Sequence, residues 1–254
     1  MSTVTAAEMY STCHQLQLPN TDLFMGRLAR LVYLTSCLPG RDYSLSGFNF
    51  EKLVSEALGP GSHYSSSRSA VDVVRETPSG TTIGFQIKTS KTVRKVFVWS
   101  RIALEDKLER IPASHVSHNM AQEIGSELFS DFLDNVSGSG VEVDELYYLQ
   151  AMREGNSMKV IVSDVCLDAV SHIYAEDVEW TWSEPLTGRY PVLEGRMDGD
   201  LMFSWCGMSG NHFKVHDMPK FLTLISSQEP SMYTLPLRVT PVGFDELEPI
   251  LSGI

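Results

Sequence analysis

The chain has 254 residues, 43% hydrophobic and 20% charged, with a formal net charge of −12. That length supports one large domain or two modest ones, and the composition is that of an ordinary globular protein. No stretch approaches the roughly 18 apolar residues of a membrane span, and the acidic balance argues against a generic nucleic-acid coat.

The N-terminal "MSTVTAAEMYSTCHQL" lacks the basic-then-apolar pattern of an export signal, so a cytoplasmic location is expected. The four cysteines are scattered and form no CxxC pair, which fits free thiols in a reducing compartment better than structural zinc. The pairs His115/His118 and His212/His216 have metal-compatible spacing without a supporting motif, and ordinary loop or face histidines are the simpler reading.

Two helices are expected in the first forty residues, the second over "TDLFMGRLARLVYLTSCL" and stopping before Pro39-Gly40. A third helix, "GFNFEKLVSEALG", carries Phe50, Leu53, Val54, Ala57 and Leu58 at the spacing of one core-facing stripe. Glu51 lies at the margin of that stripe. It either faces solvent beside Lys52 or reaches the edge of whatever sheet the helix covers.

The stretch "SAVDVVRETPSGTTIGFQIKTSK" predicts a hairpin. Pro78-Ser79-Gly80 suits a three-residue loop with Pro opening a type I turn and Gly in the left-handed position of a bulge. Thr77 then faces Thr81, and the same register sets Asp72 opposite Gln86. Strand alternation puts Gln86 and Lys88 on the face of Asp72, with Val71, Val73, Phe85 and Ile87 on the core face. "KVFVWS" predicts a further strand, followed by a helix near Arg101 and a longer one from about Ser117 to Asn135. "DELYYLQAMREGNSMKVIVSD" predicts a second hairpin turning at Gly155-Asn156. Beyond Cys166 the pattern becomes irregular, with short strands at "DLMFSW" and "HFKVHD".

These elements indicate an α/β chain with an α+β tendency: a mixed central sheet flanked by helices, N-terminal helices, and a loop- and β-rich C-terminal elaboration. The expected segments are an N-terminal helical part over 1–45, a core over 46–165 and the elaboration over 166–254, all of which fit within one domain as well.

A helix bearing Glu51, a strand bearing Asp72 and a following strand bearing Gln86-Ile87-Lys88 together resemble the PD-(D/E)XK nuclease superfamily, which includes restriction endonucleases. The resemblance covers 46–100, extending to 164 if the later helix and strands complete the core. Val71 stands in the place of the motif's proline, and Gln86 in the place of its second acid, a known variant that lowers the negative charge offered to a metal. The resemblance implies a restriction-endonuclease-like fold and a magnesium-dependent endonuclease acting on double-stranded DNA, with manganese able to substitute. It implies Asp72 as principal metal ligand, the Gln86 side-chain oxygen and Ile87 carbonyl as supplements, and Glu51 on a metal-bound water or second ion. Lys88 would orient or help deprotonate the attacking water and stabilise the transition state.

Between Lys88 and Arg101 five basic residues occur with no acid. On the nuclease reading Lys91, Arg94 and Lys95 clamp phosphates, with Arg68 in "SSSRS" as another donor; otherwise they form a solvated face. Asn211 and Lys214, with Arg189, Arg196 and His212, are candidates for base reading in the C-terminal third. Trp180, Trp182 and Trp205 are either stacking residues or core, and core is the simpler reading. A homodimer is expected, since two-fold symmetry places one active site on each strand of a palindrome. The alternatives are a structure- or modification-directed nuclease of the same superfamily, and a DNA-binding protein whose metal site is lost.

Overall fold

The computed structural model describes residues 21–37, 47–64, 71–90, 97–101, 120–138, 142–183, 192–206 and 212–237. In chain order the elements are α1 (Thr21–Cys37), α2 (Gly47–Leu58), β1 (Ser62–Tyr64), β2 (Val73–Glu76), β3 (Thr82–Ser90), β4 (Phe97–Arg101), α3 (Ala121–Val136), β5 (Glu145–Glu154), β6 (Ser157–Asp164), α4 (Leu167–Ser171), β7 (Glu179–Trp182), β8 (Leu193–Met197), β9 (Asp200–Cys206), β10 (His212–Val215), α5 (Met218–Ile225) and β11 (Ser231–Pro236). The contacts divide into two compact units, Met1–Val93 with Val141–Asp164 and Gln228–Ile254, and Arg94–Gly140 with Val165–Ser227. The chain is thus mixed α/β, as its pattern predicts, with a six-stranded mixed sheet and a second, five-stranded antiparallel one.

In the first unit the strand order is β1-β2-β3-β5-β6-β11. Only the central β3–β5 pair is parallel. One face alternates cleanly: Ile83, Phe85 and Ile87 on β3; Tyr147, Leu149 and Ala151 on β5; Met158, Val160 and Val162 on β6. Helices α1 and α2 cover that face with Phe24, Met25, Leu28 and Val32, and with Phe50, Val54, Ala57 and Leu58. The expected stripe of α2 is therefore the buried one. Phe85 stacks on Tyr147 with ring centroids 5.7 Å apart, anchoring the parallel pair beneath the helices.

The hairpin turn forms as its chemistry predicts. Gly80 has φ +85°, its N–H donates to the Thr77 carbonyl at 2.9 Å, and the Thr77 N–H donates to the Thr81 carbonyl at 2.9 Å. The resulting register, Val73↔Phe85 through Glu76↔Thr82, is the one the turn dictates. The second hairpin turns at Gly155, φ +56°.

Two placements differ from expectation. Strand β4 does not join the sheet that holds the hairpin but pairs with β10 in the other unit, while β11, near the C-terminus, completes the first sheet against β6. Neither pairing is local, and strand propensity carries no information about a partner that far along the chain.

The second unit has the strand order β4-β10-β9-β8-β7. Its core is aromatic: Phe132 stacks on Phe213 at 4.4 Å, and Phe129, Phe203, Phe221 and Trp180 fill in around them. Trp180 and Trp205 are buried and so belong to the core rather than to a stacking surface. The Trp180 indole lies against Gly125 of α3, where an added Cβ would sit 2.1 Å from the ring, and against Gly195 of β8, where it would sit 2.8 Å away. The Gln122 side chain closes the same contact, accepting the Trp180 backbone N–H at 2.9 Å and donating to the Val178 carbonyl at 3.0 Å. Gly125→Ala is therefore expected to cost about 1–3 kcal/mol or more by overpacking, read as a lowered urea midpoint at unchanged m-value; a neutral result would show that the indole can move.

Candidate active site

The site is built where β2 starts late. Its ladder with β3 begins at Val73↔Phe85, and β3 runs on past that point to Ser90. Asp72 occupies the bend just before the ladder. Its N–H donates to the Phe85 carbonyl at 2.8 Å, and its Oδ2 accepts the Ile87 N–H at 2.6 Å. A carboxylate oxygen thus stands where the next backbone carbonyl of a longer strand would be.

This bend corrects one expectation. Asp72 meets Lys88 as expected, and its carboxylate also takes the Ile87 N–H. Val71 is fully buried, yet its Cγ1 lies 3.1 Å from where a Cβ on Gly84 would be, on the Gly84 and Gln86 side rather than with Val73 and Phe85. The strict alternation assumed for a continuous strand fails where the strand begins.

Lys88 follows two residues after Gln86 and holds its Nζ 3.9 Å from Asp72 Oδ2, with both side chains about a quarter exposed (26% and 24%). Glu51 comes from α2, which packs on the opposite, apolar face of β3. It is half-buried and near enough to feel both charges: burial raises its pKa most, the Asp72 carboxylate raises it further, and Lys88 opposes them. Burial likewise raises Asp72, against the lowering effects of Lys88 and the Ile87 N–H. Glu51 of α2, Asp72 of the bend before β2, and Ile87 and Lys88 of β3 are therefore brought toward the start of β2.

Gln86 is buried at 1% exposure beside its parallel partner Tyr148. Tyr148 and Gln150 extend this polar row into β5 and escape sequence reasoning, because "YYLQ" reads as part of a buried strand. The Tyr148 hydroxyl donates to Gln150 Oε1 at 3.0 Å, and Gln150 is the parallel partner of Lys88. The Tyr148 pKa is raised well above its usual value by burial and by the Asp72 charge, so the phenol stays protonated as a donor. Their only signal in the sequence is a glutamine inside an otherwise apolar run.

Of the other expected residues, Arg68, Lys91, Arg94, Lys95 and Asn211 lie outside the described residues, as do Arg189, His115 and His118. Lys214 lies on β10 in the second unit, and its charge helps lower the pKa of His216, which burial lowers most. His216 Nε2 lies 2.7 Å from Ser204 Oγ, an ordinary structural contact. Arg196 is engaged by Glu194 at 3.3 Å. Among the described residues no group of three or more His, Cys, Asp or Glu side chains is placed to hold a metal ion.

Comparison with known proteins finds no match, either to a family model or to a curated protein or solved structure.

Because the pKa values of Asp72 and Glu51 are raised, the folded state binds more protons than the unfolded chain between the ordinary carboxylate pKa and the folded values. Stability therefore falls as pH rises through that window. Asp72→Asn keeps an acceptor for the Ile87 N–H and removes the charge. Its melting temperature should match wild type in acid and exceed it at neutral pH. A variant less stable than wild type at neutral pH would make Asp72 a structural charge.

Proposed function

We propose that the chain is a magnesium-dependent endonuclease of the PD-(D/E)XK type, with a restriction-endonuclease-like first unit that cuts double-stranded DNA. The observation that carries this reading is the Asp72–Lys88 pair at the start of β2, with Glu51 held in its field. Two carboxylates beside one ammonium, kept together at a cost in ionisation, serve a structural purpose poorly and a chemical one well.

The donor set fits a hard divalent cation. Asp72 Oδ2 is occupied by the Ile87 N–H, leaving Oδ1 for a ligand. The N–H and C=O of one strand residue point to the same side, so the Ile87 carbonyl faces the same edge. With Glu51 and the Gln86 side-chain oxygen these are oxygen ligands of the kind magnesium takes, with water and substrate phosphate completing the shell. Bound magnesium would supply charge neutralisation on the phosphate and a more acidic water.

The chain's own residues do the remaining work. Lys88 lies beside Asp72, where its ammonium orients the attacking water and stabilises charge gathering on the phosphoryl oxygens. Glu51 accepts a hydrogen bond from that water. Gln150 and Tyr148 brace the strand beneath Lys88. A homodimer would bring two such centres to the two strands of a symmetric site. The restriction reading is weighed against a DNA-binding protein without catalysis. That second reading draws on one observation: a buried amide stands at position 86 in place of the superfamily's second acid.

Purified protein incubated with varied plasmid and phage DNA and magnesium separates these readings. Discrete fragments support a site-specific enzyme and a smear a non-specific nuclease, while a mobility shift with intact DNA supports the binder. Asp72→Ala should abolish cleavage and leave DNA affinity close to wild type. Lys88→Ala should lower the single-turnover rate by about 10²-fold or more. Gln86→Glu should retain cleavage at a lower magnesium requirement. Wild-type rates in Asp72→Ala would remove the assignment.

A further inference from the structure

A groove of about 1280 Å³ opens in the first unit between α1, α2 and β1. It is lined by Arg27 and Arg30 of α1, His63 and Tyr64 of β1, Leu23, and a single acid, Glu56. Its floor is tightly specified. Gly59 closes α2 in the left-handed conformation, φ +81°, and a Cβ there would meet Arg27 Nη1 at 3.2 Å. Ser62 Oγ donates toward the carbonyls of Ser55 and Gly59, each at 2.7 Å, tying β1 to the end of the helix.

Three features suit a nucleic-acid strand. Arg27 and Arg30 are exposed on one helix face, three residues apart, where both reach the groove. Tyr64 and Leu23, 44% and 52% exposed, are two of the few large apolar side chains shown to solvent among the described residues, and both line the groove. Tyr64 pairs with Val73 in the β1–β2 ladder, which fixes the backbone that carries the ring. A cationic groove with an exposed aromatic face is the general design for binding unpaired bases along a phosphate backbone.

The groove is also connected to the candidate centre. Tyr64 lies within the field of both Glu56 and Glu51. Glu51, Ser55 and Gly59 follow one another at four-residue steps along α2, so one helix stripe runs from the carboxylate pair to the groove floor.

We propose that this groove binds an unpaired stretch of the substrate strand beside the scissile phosphate, with Tyr64 stacked on a base and Arg27 and Arg30 on phosphates. This rests on the catalytic centre of the nuclease reading and takes its structure-directed form in place of the restriction form: the substrate is DNA carrying single-stranded nucleotides, because a base inside a duplex offers no free face to a side chain in a concave groove. The substrate class is then a flap, gap, junction or frayed end next to duplex.

The test is fluorescence anisotropy of the full chain with a labelled oligothymidylate of about 12 nucleotides, without magnesium, over a salt series. Single strand should bind more tightly than a blunt duplex of equal length. Arg27→Gln/Arg30→Gln should flatten the log Kd against log salt slope by about 0.7 for each lost contact. Tyr64→Leu should weaken binding about 5- to 150-fold and Tyr64→Phe should restore it. Glu56→Gln, an exposed change, should tighten binding. Tighter duplex binding, or affinities indifferent to all these changes in variants that melt like wild type, would overturn the proposal. Asp72→Asn separates the two readings: it should keep oligonucleotide affinity while losing cleavage. Groove-dependent binding with no cleavage of any DNA would remove the nuclease reading alone. Asp72-dependent cleavage with an indifferent groove would remove only the groove.

Discussion

The hydrogen bond from the Ile87 N–H to Asp72 Oδ2, 2.6 Å long, is the contact on which the candidate site depends. A strand that starts in mid-sheet leaves the next backbone donor of its neighbour without a carbonyl. Here a carboxylate fills that place, so a negative charge is fixed at the sheet edge. An unmet backbone donor costs more than most single contacts contribute, so the aspartate is pinned by the need to satisfy Ile87. Lys88, one residue on, then lies beside that charge, and Glu51 is carried toward it by the packing of α2 on the apolar face.

The arrangement works against itself electrostatically. Burial opposes ionisation of both acids, and the Asp72 charge further disfavours that of Glu51, while a single ammonium answers them. A purely structural solution would place one acid against one base and bury the rest in carbon. On the proposed reading the surplus carboxylate serves a cation that joins it. The uncharged Gln86 keeps the total negative charge lower than three acids would, so the site needs less compensation from a cation.

Much of this could be read from the chain because its determinants are local. The Thr77–Thr81 turn sets the hairpin register through a proline, a positive-φ glycine and the threonine side chain, all within five residues. The α2 stripe, by its spacing, sets which side of the helix meets the sheet and leaves Glu51 at its margin. What could not be read is non-local. Tyr148 and Gln150 reach the site through the parallel β3–β5 pairing, across more than fifty intervening residues that carry no register signal. The placement of β4 against β10 fails for the same reason. The departure at Val71 is different: strand alternation does not carry through Asp72, where the backbone bends.

The central claim is that Glu51, Asp72 and the Ile87 carbonyl form a cation site governed by Lys88. Manganese binding, followed by the electron paramagnetic resonance of the free ion without nucleic acid, tests it apart from any activity. The account predicts saturable binding to the wild type, loss of most of it in Asp72→Asn, weakening in Glu51→Gln, and strengthening in Gln86→Glu, with all four proteins folded. Equal manganese binding by wild type and Asp72→Asn would contradict it.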